Sequence, residues 1–283
     1  MVNAGEYPSA CEFEVIHLAA LNTCATPGLD GIILPSTNCT FNPSSLVGKS
    51  QICPSTNGTV TITSAAAQVA SAIYTGSHTT SGTFLWHGLD ISAPLLLHAQ
   101  TSCSSNGSCV ANPIPLVLQW MKLFLAMDPS FDTSTVNTSA FPSLFHQSVN
   151  RFDSILGTSD PDLTGFRDMG GKMITWHGIA DQLLGPKYTE HYVKDVYDLD
   201  QKASEYFRYF EAPGLEHCGS GTDGYYPGDA LERLVEWVEK DVQPETLEAR
   251  NRENGRRMEL CKWPEKVVYL GGDVGDAKSF GCK

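Results

Sequence analysis

Two residues in the second half of the chain could carry out proton-transfer chemistry together, Asp181 and His217. Each follows a short apolar run of the kind that makes a buried strand. Asp181 stands in a turn after Lys172-Met-Ile-Thr-Trp176, and His217 stands in Gly214-Leu-Glu-His-Cys-Gly after Tyr206-Phe-Arg-Tyr-Phe-Glu211. In open α/β sheets, reactive groups sit beyond the carboxyl ends of strands. An acid after one strand and a histidine after the next is the order in which the acid and base of a Ser-Asp-His relay follow one another in such a sheet. The histidine would take the proton of a serine hydroxyl and return it to a leaving group. The acid would fix the imidazole tautomer and stabilise the imidazolium. Position alone leaves the blander reading open, because an Asp in a turn is commonly a cap and a loop histidine is commonly solvated.

The elements that would position this pair begin near Gly170. A strand is predicted over 172–176, a helix over 186–200 and a strand over 206–211. A helix capped by Asp229 follows, with Leu231, Leu234, Val235 and Val238 on one face. Strand, helix, strand, helix is the rhythm of a parallel sheet with covering helices. Two strands do not complete such a sheet, and residues 1–165 offer no obvious further set. That earlier region is rich in Ser, Thr, Asn, Gly and Pro, with three helical patches. Ser9-Ala-Cys-Glu12 reads as a capping box opening a helix to about Leu21. An alanine-rich helix is predicted over 63–74. A third, over 114–127, is apolar all round and so is expected to be buried, with Trp120, Met121 and Phe124 in its core. The fold class is therefore α/β, with a loop-rich cap over 1–165 and part of a sheet-and-helix core over 166–283.

Composition narrows the function. With 19 basic and 32 acidic residues, a net charge of −13, the chain is a poor partner for nucleic acid or an anionic membrane. No run is long and apolar enough to span a bilayer. Nine cysteines without a single C-x-x-C pair read as disulfides in an oxidising compartment rather than as zinc ligands. Sequons at Asn38, Asn57, Asn106 and Asn137 point the same way, to a secreted glycoprotein. An odd count leaves at least one cysteine without an internal partner. The first residues, Met-Val-Asn-Ala-Gly-Glu, do not read as a signal peptide. Both features are expected of a secreted protein whose front is missing.

Longer motifs then carry a resemblance. Asp160-Pro-Asp-Leu-Thr-Gly-Phe-Arg-Asp-Met-Gly-Gly-Lys-Met-Ile-Thr-Trp-His-Gly-Ile-Ala-Asp181 looks like a DPDLxxFxxxGGKLIxWHGxxD segment. His217-Cys218-Gly-Ser-Gly looks like HCxGG, and Leu260-Cys-Lys-Trp-Pro with Cys282 looks like a CxWP ending. Leu29-Asp-Gly-Ile-Ile, Phe41-Asn-Pro-Ser-Ser-Leu-Val-Gly and Asp128-Pro-Ser-Phe-Asp132 follow in the same order. By these segments the chain resembles the tannase and feruloyl esterase family of secreted serine esterases over nearly its whole length. The resemblance implies the C-terminal part of an α/β-hydrolase core under a large cap, with Asp181 and His217 as acid and base. It implies hydrolysis of phenolic-acid esters, such as gallate or hydroxycinnamate, through an acyl-enzyme and without a catalytic cofactor.

The family's nucleophilic serine lies in a Cys-Ser-x-Gly-Gly elbow upstream of everything in this sequence. Its cysteine bridges to the one after the catalytic histidine, so Cys218 is expected to lack its partner here. By the same resemblance Cys24 pairs with Cys39, and Cys261 with Cys282. Cys103 with Cys109 and Cys11 with Cys53 are local guesses, since connectivity does not follow from sequence. Ser104, in Cys103-Ser104, precedes Asp181 and His217 in order. The residues after it form a sequon and run to a proline, not the helix an elbow needs, so Ser104 reads as loop. The family also holds a structural calcium in a cap loop, of which Asp30 and the Ile32 carbonyl remain. Alanine stands where the first aspartate belongs, and the loop is shorter, so loss of calcium is expected. His87 and His177, each between a Trp and a Gly, read as structural, with His177, which directly follows its strand, also placed to help shape the pocket. Two readings stay open: an esterase whose serine is supplied from a missing N-terminal segment or chain, and an inactive remnant that binds aromatic ligands or a partner chain.

Overall fold

Glu12 starts the first helix, α1 (Ala10–Cys24), in a way the capping-box motif only half describes. Its Oε2 accepts from the Ser9 backbone N–H at 2.7 Å and from the Ser9 hydroxyl at 3.1 Å. Its Oε1 accepts from the N–H and hydroxyl of Thr63, at 3.0 and 2.7 Å. Ser9 thus donates to the carboxylate instead of capping with its oxygen. Four hydrogen bonds satisfy a carboxylate only 5% exposed. They tie the start of α1 to Thr63, the N-cap of α2 (Ser64–Thr75). Disulfides hold both ends of α1, Cys11–Cys53 and Cys24–Cys39.

The computed structural model describes residues 5–104, 109–220 and 224–283, so the sequon at Asn106 lies outside the described residues. The described chain forms two units that interleave in sequence. One takes the chain up to Ala19, then Asn42–Leu89 and Pro94–Ser159. The other takes Ala20–Phe41, Asp90–Ala93 and Asp160–Lys283.

The first unit holds three antiparallel pairs: β1 (Ser50–Ile52) with β2 (Thr59–Thr61), β3 (Ser77–His78) with β4 (Phe84–Trp86), and β5 (Thr101–Cys103) with β6 (Cys109–Ala111). Disulfide Cys103–Cys109 closes the last. Two helices follow. The first is α3 (Pro115–Trp120), which continues as a π-helical turn over Met121–Leu125. The second is α4 (Phe141–Leu156), which the sequence reading missed. Trp120 stacks on Phe124 at 4.5 Å and meets Phe152 of α4 edge-on at 5.0 Å. The expectation that residues 114–127 are buried is corrected. Leu125 is buried, but Leu116, Val117, Leu123, Phe124 and Met127 are exposed. The reason is geometric: α4 packs along one side, and one neighbour covers one stripe of a helix that is apolar all round.

The second unit carries α5 (Thr164–Asp168), β7 (Met173–Gly178), α6 (Pro186–Leu199) and β8 (Phe207–Ala212). β7 and β8 are parallel, in register from Met173↔Phe207 to Gly178↔Ala212, with α6 as the crossover. Short β9 (Tyr225–Pro227) leads into α7 (Ala230–Lys240). β10 (Thr246–Asn251) and β11 (Arg257–Cys261) then make an antiparallel meander with β9, in the order β11-β10-β9. β12 (Val267–Tyr269) pairs with β13 (Phe280–Cys282), and Cys261–Cys282 ties β13 to β11. One core gathers Phe210, Ala212, Leu215, Leu247, Ala249, Met258 and Leu260. Another, between α6 and β8, gathers Val193, Val196, Tyr206, Phe207 and Tyr209.

The stripe expected to bury α7 points outward. Leu231, Val235 and Val238 are exposed, while Ala230 and Trp237 are buried. Trp237 fixes the inward side, with the Arg208 guanidinium 5.5 Å from its ring. Asp229 makes no side-chain cap; its Oδ2 accepts from Arg233 Nε at 2.9 Å. Among the described residues β7 hydrogen-bonds to one strand, β8.

Candidate active site

The carboxyl ends of β7 and β8 are brought close by a glycine. A Cβ on Gly178 would stand 2.2 Å from the carbonyl oxygen of Leu215, closer than any side chain tolerates. With no side chain there, the turn after β7 and the loop after β8 lie against each other, and Ala180 N–H donates to that same Leu215 carbonyl at 3.1 Å. The contact brings Asp181 and His217 together. His217 Nδ1 lies 3.0 Å from Asp181 Oδ2. Asp181 Oδ1 accepts from the backbone N–H groups of Leu183 and Leu184, both at 2.8 Å.

Burial pushes the Asp181 carboxyl up. Hydrogen bonds from His177, Leu184, Leu183 and His217 outweigh that and hold it at about 2. The group is therefore an anion, acceptor only, so Nδ1 of His217 carries the proton and Nε2 presents a lone pair. Among the described residues Nε2 has no hydrogen-bond partner, and the ring is 32% exposed. Gln182 straps the histidine loop: its Oε1 accepts from His217 N–H at 3.0 Å and its Nε2 donates to Glu216 Oε2 at 3.2 Å. Arg252, stacked 4.1 Å over the Tyr226 ring, donates to Gly219 O at 2.9 Å. An oriented imidazole with a buried anion behind it and an open nitrogen in front can act as a general base.

His177, read from sequence as structural, belongs to this cluster. Its Nδ1 lies 2.7 Å from Thr189 Oγ1, and its Nε2 lies 2.9 Å from Leu184 O and 3.2 Å from Asp181 Oδ2. Nothing local in the sequence signals the contact, which depends on the path of the turn. His87 is a structural histidine of the first unit, its ring 4.9 Å from Phe84 and 5.5 Å from Trp86.

Glu211, opposite His177 in the strand register, is a second buried acid. Its Oε2 receives no hydrogen bond, and Lys266 Nζ is 3.8 Å away. Burial pushes it up to about 7; Lys266 opposes this, and Glu190 and Asp90 add to it. The fold thus disfavours the charged form. The corresponding stability is fully present below the ordinary carboxylate range and is lost as pH rises through 7. Glu211→Gln is expected to be more stable than the native chain at pH 8 by roughly 2 to 3 kcal/mol and nearly equal to it at pH 4. Urea midpoints of the two proteins at both pH values measure this; a gap that does not change with pH would count against it.

Comparison with known proteins gives the family. The family model described as "Tannase and feruloyl esterase" matches residues 2–283. The chain belongs to this family. A probable feruloyl esterase of Arthroderma benhamiae is 37% identical over 98% of this chain and 53% of that protein. A tannase of Aspergillus oryzae is 26% identical over 97% of this chain and 56% of that protein. The structure of a tannin acyl hydrolase from Aspergillus niger superposes with a TM-score of 0.85 at 23% identity, over 98% of this chain and 54% of that one. An Aspergillus oryzae esterase structure gives 0.78 at 24% identity, over 99% and 57%. These structures share the fold of this chain, which spans about half the length of the relatives it matches.

Within this family member the cysteines are arranged as four bridges, Cys11–Cys53, Cys24–Cys39, Cys103–Cys109 and Cys261–Cys282. Cys218 is the free one, exposed, with its backbone in the left-handed region at φ 53°. Ser104 follows Cys103 at the end of β5 in the first unit, and the next described element is the strand β6, tied to β5 by the Cys103–Cys109 disulfide. The remnant of the calcium loop does not fit a calcium ion. Asp30 Oδ2 accepts from Arg256 Nη1 at 2.9 Å, so a guanidinium already neutralises it. The Ile32 carbonyl accepts from Thr26 N–H at 2.9 Å. Calcium needs several free oxygen donors at one centre. The one cluster of potential ligands among the described residues, Cys11, Glu14 and Cys53, contains two cysteines already joined in a disulfide.

Proposed function

We propose that this chain carries the acid and base of a serine carboxylic ester hydrolase acting on esters of phenolic acids, gallate or a hydroxycinnamate. Asp181 orients His217, and His217 Nε2 takes the proton of a serine hydroxyl as it attacks the ester carbonyl, then returns it to the leaving alcohol. The acyl-enzyme is cleaved by water through the same base. The observation that carries this reading is the Asp181–His217 hydrogen bond, with Nε2 open, at the ends of two parallel strands. The names of the relatives supply the ester class. The serine of this mechanism comes from outside these 283 residues, since neither Ser104 nor any G-x-S-x-G serine offers an elbow. The disulfides favour an extracellular site of action, and no helix of the described residues is long and apolar enough to cross a membrane.

The exposed, unbridged Cys218 beside His217 favours a second reading, a remnant that binds aromatic ligands or a partner chain without turnover. One experiment separates the two. Release of ferulate or gallate from the methyl esters, and labelling by a fluorophosphonate, are measured on the 283-residue chain and on the chain extended by the coding sequence upstream of Met1 in its transcript. Turnover and label in the extended form only are expected. Absence of turnover in both forms overturns the esterase reading in favour of the remnant. Label within the 283 residues overturns the external serine.

A further inference from the structure

Asp181 is shared between two histidines. Its Oδ1 is filled by two backbone N–H groups at 2.8 Å. Its Oδ2 faces His217 Nδ1 at 3.0 Å and His177 Nε2 at 3.2 Å. The His177 tautomer follows from its partners. Nε2 points at the Leu184 carbonyl, 2.9 Å away, and at an anionic carboxylate, and neither can donate. The proton must therefore sit on Nε2, directed at the Leu184 carbonyl with the Asp181 carboxylate 3.2 Å from the same nitrogen. In the neutral ring Nδ1 is then the acceptor, and the Thr189 hydroxyl donates to it across 2.7 Å.

We infer that His177 is a positioning residue for the dyad, one that limits how much negative charge Asp181 lends to His217. The inference rests on the proposed function for its purpose, but not for its physical content. A carboxylate whose second oxygen is shared with another N–H is a weaker partner for an imidazolium. Removing the second donor should therefore strengthen the bond that Asp181 offers His217. The Thr189 hydroxyl, donating to Nδ1, braces the ring in the tautomer that the partners of Nε2 already require. Besides Asp181, the charged group beside His177 is Glu211 on β8, which itself feels Lys266, Glu190 and Asp90. Of these, Glu211 titrates near neutrality.

Nitrogen-15 NMR of the imidazoles in this chain, titrated with pH, reads the coupling without any turnover. In the native chain, neutral His177 is expected as the Nε2–H tautomer. In His177→Phe, which keeps a ring but no donor, the His217 midpoint is expected to rise by about half to one pH unit. In His177→Gln, which can place an amide N–H near the former Nε2, it should remain close to native. His177→Leu, smaller and likewise without a donor, should move the His217 midpoint in the same upward direction. It decides the matter if the phenylalanine variant does not fold. Repeating each titration in a Glu211→Gln background removes the overlapping titration of Glu211.

A His217 midpoint unmoved in folded His177→Phe or His177→Leu overturns the proposal. So does an equal rise in His177→Gln, or a native His177 carrying its proton on Nδ1. In a turnover-competent form the acid limb of kcat/KM should move up with the His217 midpoint. If no form hydrolyses esters, the function proposed above fails while the NMR result stands on its own.

Discussion

Asp181→Asn is expected to lower kcat on a methyl ferulate or methyl gallate substrate by about 10^3 to 10^4-fold in a form of the protein that carries the serine, with KM little changed. The size follows from what Asp181 does. Its Oδ2 holds the Nδ1 proton of His217 and leaves Nε2 as the base. An asparagine in the same place can turn its NH2 toward Nδ1, which then becomes an acceptor, and the proton moves to Nε2 where no base remains. The neutral side chain also forfeits the stabilisation of the imidazolium. Ground-state binding of the ester involves neither effect, so the loss should appear in kcat. Steady-state kinetics of both proteins across the acid range measure it. A loss of less than tenfold would mean that Asp181 is only the turn cap its two bonds to Leu183 and Leu184 also make it. The same residue sets a stability limit. Held at about 2 in the fold, the carboxylate contributes about 2 kcal/mol above its unfolded value, and this is lost as pH falls through 2.

Gly178→Ala should be strongly disruptive to the second unit, costing about 3 kcal/mol or more. The added methyl meets a backbone carbonyl at 2.2 Å, not the movable end of a side chain. Relief requires the loop after β8 to retreat from the turn after β7. That retreat breaks the Ala180-to-Leu215 hydrogen bond and lengthens the Asp181–His217 contact. Two readouts should therefore fall together: the urea midpoint, and the downfield Nδ1 proton of His217 in NMR. If the midpoint falls but the proton signal persists, the close approach stabilises the sheet without being needed for the dyad.

The parts of this site that could be read from sequence are those with local causes. Lys172–Trp176 and Tyr206–Glu211 announce strands because apolar runs stop at glycines, and the structure places β7 and β8 there within one or two residues. Strand order brings Asp181 and His217 forward as a pair, and it is the resemblance of the segments around them that assigns them as acid and base. The contribution of His177 depends on a turn that folds back over its own strand end, and no periodicity encodes that. Gln182 was missed for the same reason, since its two bonds reach 34 and 35 residues along the chain. The meander β10–β11 did have a signal: Leu247, Ala249 and Asn251 alternate as buried residues, a period of two that the charges of Glu248 and Arg250 obscured. For α7 the apolar stripe was real, but Trp237 on the other side took the inward position, because burying the larger ring against Arg208 outweighs three branched aliphatics. Periodicity identifies a face without saying which of two apolar faces turns inward.

The two clamps on α1 also bear on how this chain loses structure with time. A helix ordinarily frays from its termini, and its amides exchange with solvent through those short openings. Here the first turn is fixed by Cys11–Cys53 and by Glu12, and the last residue by Cys24–Cys39. Fraying is blocked at both ends. While both bridges are intact, deuterium uptake by the inner amides of α1 should wait for a larger, slower opening. A reducing milieu would free the end at Cys24 while the Glu12 carboxylate still holds the first turn, so end-fraying should return from the C-terminal side, where the redox state of the surroundings acts as a kinetic control on local order.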